Sequence, residues 1–109
     1  MARKRYAYDY PRPMVTADCV LFRVHEGKLE VLLVRRAHAP HEGRWALPGG
    51  FVGMAEPLRD AALRELKEET GLGKPAAVMQ LGAYGAPGRD PRGRVISVVF
   101  MGIVSGAGT

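Results

Sequence analysis

The chain has 109 residues, a formal net charge of +5 and a single cysteine. That length allows one small domain, 1–109, with one modest core. The composition excludes low-complexity and collagen-like classes, the lone Cys19 excludes an internal disulfide, and no apolar run approaches the roughly 20 residues of a membrane span.

Residues 1–13 are basic, rich in tyrosine and interrupted by Pro11 and Pro13, which predicts an extended N-terminal arm. The arm lacks the apolar stretch of a secretory signal, so the expected compartment is the cytoplasm. Val15 to Phe22 is apolar and β-prone, with Cys19 expected to be buried inside it. Gly27 marks a turn, and Leu29 to Arg35 reads as the hairpin partner. Ala37 to Arg44 is a loop. Its His38 and His41, lacking a third ligand, read as surface residues rather than a zinc site. Trp45 to Val52 runs from a short strand through Gly49-Gly50 into another, with Trp45 expected in the core.

Pro57 to Thr70 predicts a helix. Pro57 suits its first position, the following residues are mostly good helix formers, and Gly71 suits a left-handed stop. At about 100° per residue, Ala62, Leu63 and Leu66 share the core-facing arc. Ala77 to Tyr84 and Arg94 to Val104 read as strands around a Pro- and Gly-rich loop, Gly85 to Gly93.

The helix carries Glu65, Glu68 and Glu69 on one face. Like charges three and four apart repel by roughly 0.2–0.5 kcal/mol per pair, and negative charge in the last turn opposes the helix dipole. A solvated acidic helix end would tolerate this, with Arg64 and Lys67 as partial counter-charges. A hard divalent cation would make the arrangement favourable, since Mg²⁺ takes carboxylate and phosphate oxygens.

Residues 50–72 read GFVGMAEPLRDAALRELKEETGL. Gly50, Glu56, Arg64, Glu65, Glu68, Glu69 and Gly71, with apolar Leu66 and Leu72, resemble the full signature box of the Nudix hydrolases. At roughly one in fifteen per fixed position, a chance match is on the order of one in ten million. The resemblance extends to Val31-Leu32-Leu33-Val34-Arg35-Arg36 and to Trp45-Ala46-Leu47-Pro48-Gly49-Gly50. It implies an α/β fold with a mixed sheet in an α/β/α sandwich. Family domains continue past the strand matching Arg94–Val104, so the natural chain is expected to be longer than these residues.

The resemblance further implies hydrolysis of a nucleoside diphosphate linked to another moiety, with Mg²⁺, or Mn²⁺ in its place, as cofactor. Glu65 and Glu69 would be the main metal ligands, Glu68 a third or one that reaches the metal through water, and the Gly50 carbonyl a further contact. Arg64 and Glu56 would pair and fix the loop against the helix. The general base is either a box glutamate or a later one, and no Asp or Glu follows Asp90.

The flanks resemble the ADP-ribose pyrophosphatase group, through Tyr8 to Pro13, Val15 to Asp18, and the loop Pro87 to Ser97. This implies ADP-ribose as substrate, yielding AMP and ribose 5-phosphate. Arg89, Arg92 and Arg94 would bind it, or else form a solvated loop pairing with Asp90. Tyr6, Tyr8 and Tyr10 would stack on adenine, cross to a second subunit in a homodimer, or belong to a solvated arm. Rival readings are an oxidised nucleoside triphosphate or dinucleotide polyphosphate as substrate, an ADP-ribose-sensing transcriptional regulator, and a catalytically dead interaction module. No nucleic-acid-binding module is recognisable, and the +5 charge suits a polyanionic nucleotide equally well.

Overall fold

The computed structural model describes residues 5–37, 41–73, 75 and 77–104. His38, the start of the arm at 1–4 and the last residues 105–109 lie outside the described residues. The elements follow the expected order. They are β1 (Met14–His25), β2 (Lys28–Val31), β3 (Val34–Arg35), β4 (Trp45–Ala46), β5 (Gly49–Phe51), α1 (Leu58–Thr70), β6 (Val78–Tyr84) and β7 (Val95–Ile103).

The main sheet is mixed, in the order β2-β1-β7-β6, with β5 also on β1. β1 pairs in parallel with β7 along nine residues, from Met14↔Val95 to Phe22↔Ile103. Its opposite edge is divided. β2 takes Phe22 to His25, and β5 takes Thr16 to Asp18. This division breaks the expected Leu29–Arg35 strand in two. Leu32 still donates to the Leu21 carbonyl and Cys19 already donates to Pro48, so the edge further along β1 is occupied. The chain therefore leaves at Leu33, and Val34-Arg35 pairs with Trp45-Ala46 as a separate ribbon.

Alternation along β1 sends Ala17, Cys19 and Leu21 to one face, where they pack with Val98, Phe100 and the Ala61, Ala62 and Leu66 stripe of α1. Full burial of a leucine such as Leu21 or Leu66 contributes about 1.5–3 kcal/mol. Of the expected helix arc, Leu63 is only half-buried and Ala61 takes its place in the core. The helix begins one residue later than expected, because Pro57 keeps ψ at 150° and acts as the N-cap. Gly71 ends it at φ 76°, donating to the Lys67 carbonyl.

The opposite sheet face carries no helix among the described residues, and Ile103, Met79 and Leu81 are exposed at that end and at the β6 edge. The sandwich expectation thus holds for one helical layer. Trp45 is a correction. It is 62% exposed, because Ala46, its neighbour in a two-residue strand, takes the inward side. The indole instead borders an apolar hollow of about 620 Å³ with Phe22, Leu32, Leu72 and Val104, and the Arg35 guanidinium lies 5.0 Å from its ring centre.

Candidate active site

The acidic face of α1 lies against the outer edge of β5. Glu69 accepts a hydrogen bond from the Gly49 N–H at 2.8 Å. The Glu65 carboxylate lies over Gly50, so close that a Cβ there would come within 2.5 Å of it. Glu68 stays exposed one turn from Arg64.

Arg64 organises this face. Its Nε and Nη2 donate to the two oxygens of Glu56 at 2.6 and 3.0 Å. Its Nη1 donates to Glu65 at 2.9 Å and to Glu68 at 3.3 Å, and Nη2 also reaches the Phe51 carbonyl. The pairing expected of Arg64 and Glu56 is therefore present. It holds the Glu56 carboxyl at about 2, through the Arg64 bonds and the Gly53 N–H. The same carboxylates push the Arg64 guanidinium above its ordinary value.

The Glu69 carboxyl is raised from its ordinary value. Burial of its carboxylate is the main cause, opposed by the Gly49 N–H and reinforced by the negative charges of Glu65 and Asp18. A cation placed among these groups would relieve that repulsion.

One metal contact needs correcting. Bonded pairs in an antiparallel ladder recur every two residues. Cys19 donates to Pro48, and Val52 donates to Val15. Gly50, midway between and opposite Ala17, therefore turns its own N–H and C=O toward β1. Gly49 is the residue whose backbone faces the helix, as its bond to Glu69 shows. Gly50 serves the site by lacking a side chain.

The residues present suit a hard cation in donor chemistry: Glu65, Glu69 and the Gly49 backbone adjoin, with Glu68 nearby. As the side chains stand, no three carboxylate, imidazole or thiol groups among the described residues converge enough to enclose an ion. Arg64 holds Glu65 and Glu68 to its own side, so binding would require their carboxylates to turn.

Round the β5 edge, on the face away from α1, lies a cleft of about 350 Å³. Thr16, Asp18, Gly49, Gly50, Arg89 and Ser97 are among its walls. A second hollow of about 430 Å³ adjoins it and shares Arg36, Arg89 and Arg92. The three loop arginines behave differently. Arg89 enters the cleft, donating through Nη2 to Ser97 Oγ at 2.9 Å and to the Val95 carbonyl at 3.2 Å. Arg92 also borders it, but is clamped on Asp90 by two bonds of 3.0 and 2.7 Å and stacked over Phe51. That clamp holds Asp90 well below the usual carboxylate range. Arg94 lines neither hollow, because its guanidinium is spent on the Gly85 carbonyl. The pairing with Asp90 that the solvated-loop alternative expects is present for Arg92, whereas Arg94 takes a backbone carbonyl instead.

Sequence reasoning passed over Asp18, Thr16 and Ser97. Asp18 sits against Gly49, and burial raises its carboxyl despite the Thr16 bond and the nearby Arg89 and Arg92 charges. The available signal was an acid inside an otherwise apolar strand, two residues from a threonine and hence on the same face.

Residues 12–109 match the model of the NUDIX domain family. An ADP-ribose pyrophosphatase of Methanocaldococcus jannaschii is 46% identical over 92 residues, covering 84% of this chain and 52% of that protein. The ADPR responsive transcriptional repressor NtrR of Acinetobacter baylyi is 38% identical over 99 residues, 89% of this chain and 39% of the repressor. Among solved structures, the NUDIX domain of Shewanella oneidensis NrtR complexed with ADP ribose superposes with a TM-score of 0.83 at 38% identity, over 90% of this chain and 66% of that one. The chain belongs to the Nudix family and has its fold. It spans about half, or less, of the length of these curated relatives.

Proposed function

We propose that the protein hydrolyses the diphosphate of ADP-ribose, with Mg²⁺ or Mn²⁺, to AMP and ribose 5-phosphate. The observation that carries this is the adjacency of two surfaces at the β5 edge. The Glu65/Glu68/Glu69 face lies on one side, and the cleft entered by Arg89 lies on the other. A diphosphate spanning that edge would meet acidic groups suited to a cation and a basic group suited to its own charge. The pyrophosphatase relative and the ADP-ribose-bound neighbour favour this substrate over an oxidised nucleoside triphosphate or a dinucleotide polyphosphate.

Glu65, Glu69 and the Gly49 backbone would hold the ion, with Glu68 as a further ligand. The ion supplies charge neutralisation at the diphosphate and a lowered pKa for attacking water. Arg64 sets the starting positions of Glu65 and Glu68, and the Gly49 N–H sets that of Glu69. Arg89 offers its guanidinium to the substrate's anionic part. The base in this reading is a box glutamate or a glutamate of a later loop in the full-length protein, Asp90 being held by Arg92. The exposed Tyr6, Tyr8 and Tyr10 of the arm offer a contact for a second subunit. The single, buried, unpaired Cys19 suits a reducing cytoplasm.

A second reading is supported by the repressor relative: ADP-ribose is bound as a signal rather than turned over. AMP release by the full-length natural protein with Mg²⁺, beside Glu69→Gln, separates the two. Turnover lost by about 10²-fold or more in the variant is expected for a metal-dependent step. Binding of ADP-ribose without turnover by the unaltered protein would overturn the hydrolase reading in favour of the sensor.

A further inference from the structure

The floor of the cleft holds a polar chain that neither the fold nor the box requires. Thr16 and Ser97 are lateral partners in the parallel β1–β7 ladder, and their hydroxyl oxygens lie 2.7 Å apart. Thr16 Oγ1 donates to Asp18 Oδ2 at 3.0 Å. Arg89 Nη2 donates to Ser97 Oγ at 2.9 Å. Each hydroxyl has one proton. With Asp18 ionised, the Thr16 proton is committed to it, so Ser97 must donate to Thr16 and accept from Arg89. The direction is then set end to end, from the guanidinium through two hydroxyls to a carboxylate. Chains of this kind polarise one another in a partly dry setting, and Thr16 is buried at 3% exposure.

The chain leaves Arg89 half committed. Both Nη2 hydrogens are taken, by Ser97 and the Val95 carbonyl. Among the described residues, its Nε and Nη1 hydrogens have no protein acceptor. These donors lie on opposite sides of the group, Nε–H beside Nη2 and Nη1 beside Cδ, so what Arg89 keeps for an anionic oxygen is its Nη1 end. Arg92 is more fully held, because Asp90 takes its Nε and Nη2 and its guanidinium stacks over Phe51.

We propose that Asp18, Thr16 and Ser97 are positioning residues for Arg89, holding it so that its Nη1 end meets the substrate's diphosphate. The proposal rests on the diphosphate reading above. It makes Arg89 the arginine that matters in the loop and gives the buried Asp18 a task beyond stability. If the four groups merely satisfied one another, Ser97 and Arg89 would act independently on ligand binding.

The test is a double-mutant cycle on the full-length protein with Ser97→Ala and Arg89→Ala. Affinity is measured for two probes, ADP-ribose and inorganic pyrophosphate, and kcat and KM for any substrate turned over. Ser97→Ala is expected to weaken binding by about tenfold, the scale of one lost charge-assisted hydrogen bond. It should raise KM while leaving kcat within about twofold, and add nothing once Arg89 is already alanine. Thr16→Val should reproduce the loss and Thr16→Ser restore it, and both keep the β1 shape. If ADP-ribose fails to bind but pyrophosphate binds with the same coupling, the chain stands and the ADP-ribose reading falls. If ADP-ribose binds and the two substitutions are additive, the positioning role is overturned while the substrate reading survives. If neither probe binds the unaltered protein, both are overturned.

Discussion

Gly50→Ala probes the closest approach in the site. Gly50 lies in β5 with no positive φ, so alanine brings no backbone strain. Its added Cβ would stand 2.5 Å from the Glu65 Cδ and one oxygen, and 2.8 Å from the other. Ordinary contact begins near 3.4 Å, so the carboxylate must retreat by about 1 Å, a displacement that in an active site can cost on the order of 10²-fold in rate. That equals about 2.7 kcal/mol of barrier. The fold should survive, because the obstructing group is the end of a long side chain. Gly49→Ala contrasts with it. There the Cβ meets the Ala17 carbonyl at 2.7 Å as well as the Asp18 carboxylate, and backbone cannot step aside. The assay is AMP release from ADP-ribose across a Mg²⁺ titration, with thermal unfolding as the control. Gly50→Ala should unfold within a few degrees of the unaltered protein, lose activity and need more metal. Unchanged kinetics in a folded Gly50→Ala protein would refute the placement of Glu65 in the site.

Three further outcomes are expected. Arg64→Lys should lose activity nearly as fully as Arg64→Gln, since an ammonium cannot bridge Glu56, Glu65, Glu68 and the Phe51 carbonyl together. In either variant, carboxyl titration by NMR should find Glu56 moved up from about 2 toward the ordinary range. In the unaltered protein this folded-state pKa is depressed, so the pair's contribution is present above the ordinary carboxylate pKa and is lost only as pH falls toward 2. Leu66→Ala should cost about 2–5 kcal/mol in denaturant unfolding, by opening a cavity between α1 and β1. Cys19, which burial pushes up to about 11 with help from the Asp18 and Glu69 charges, should resist alkylation at pH 8 until the protein unfolds. Its raised folded pKa means that stability is full below the unfolded value and falls by about 2–3 kcal/mol as pH rises from about 9 to 11. A Cys19→Ala variant should lack that decline.

Local and periodic features were legible from the residues. The helix follows from its formers, Pro57 and Gly71. The grouping of Glu65, Glu68 and Glu69 follows from 3.6 residues per turn. Arg64, four residues before Glu68, is placed on their flank by the same arithmetic. The alternation of β1 is visible in Ala17, Cys19 and Leu21 against Thr16 and Asp18. Each of these depends on neighbours within a few positions.

What remained closed to such reading depends on partners far apart in the chain. The Leu29–Arg35 strand breaks because Pro48 to Phe51 already holds the edge of β1. The ladder register turns the Gly50 carbonyl to Ala17 and leaves the Gly49 backbone facing Glu69, a distinction between adjacent glycines that no local pattern carries. Trp45 is exposed because a two-residue ribbon has one inward place and Ala46 fills it. Among three arginines in one loop, only the fold decides that Asp90 takes Arg92, the Gly85 carbonyl takes Arg94, and Ser97 holds Arg89 in the cleft. Thr16 and Ser97 are 81 residues apart, and the parallel pairing of β1 with β7 alone makes them neighbours.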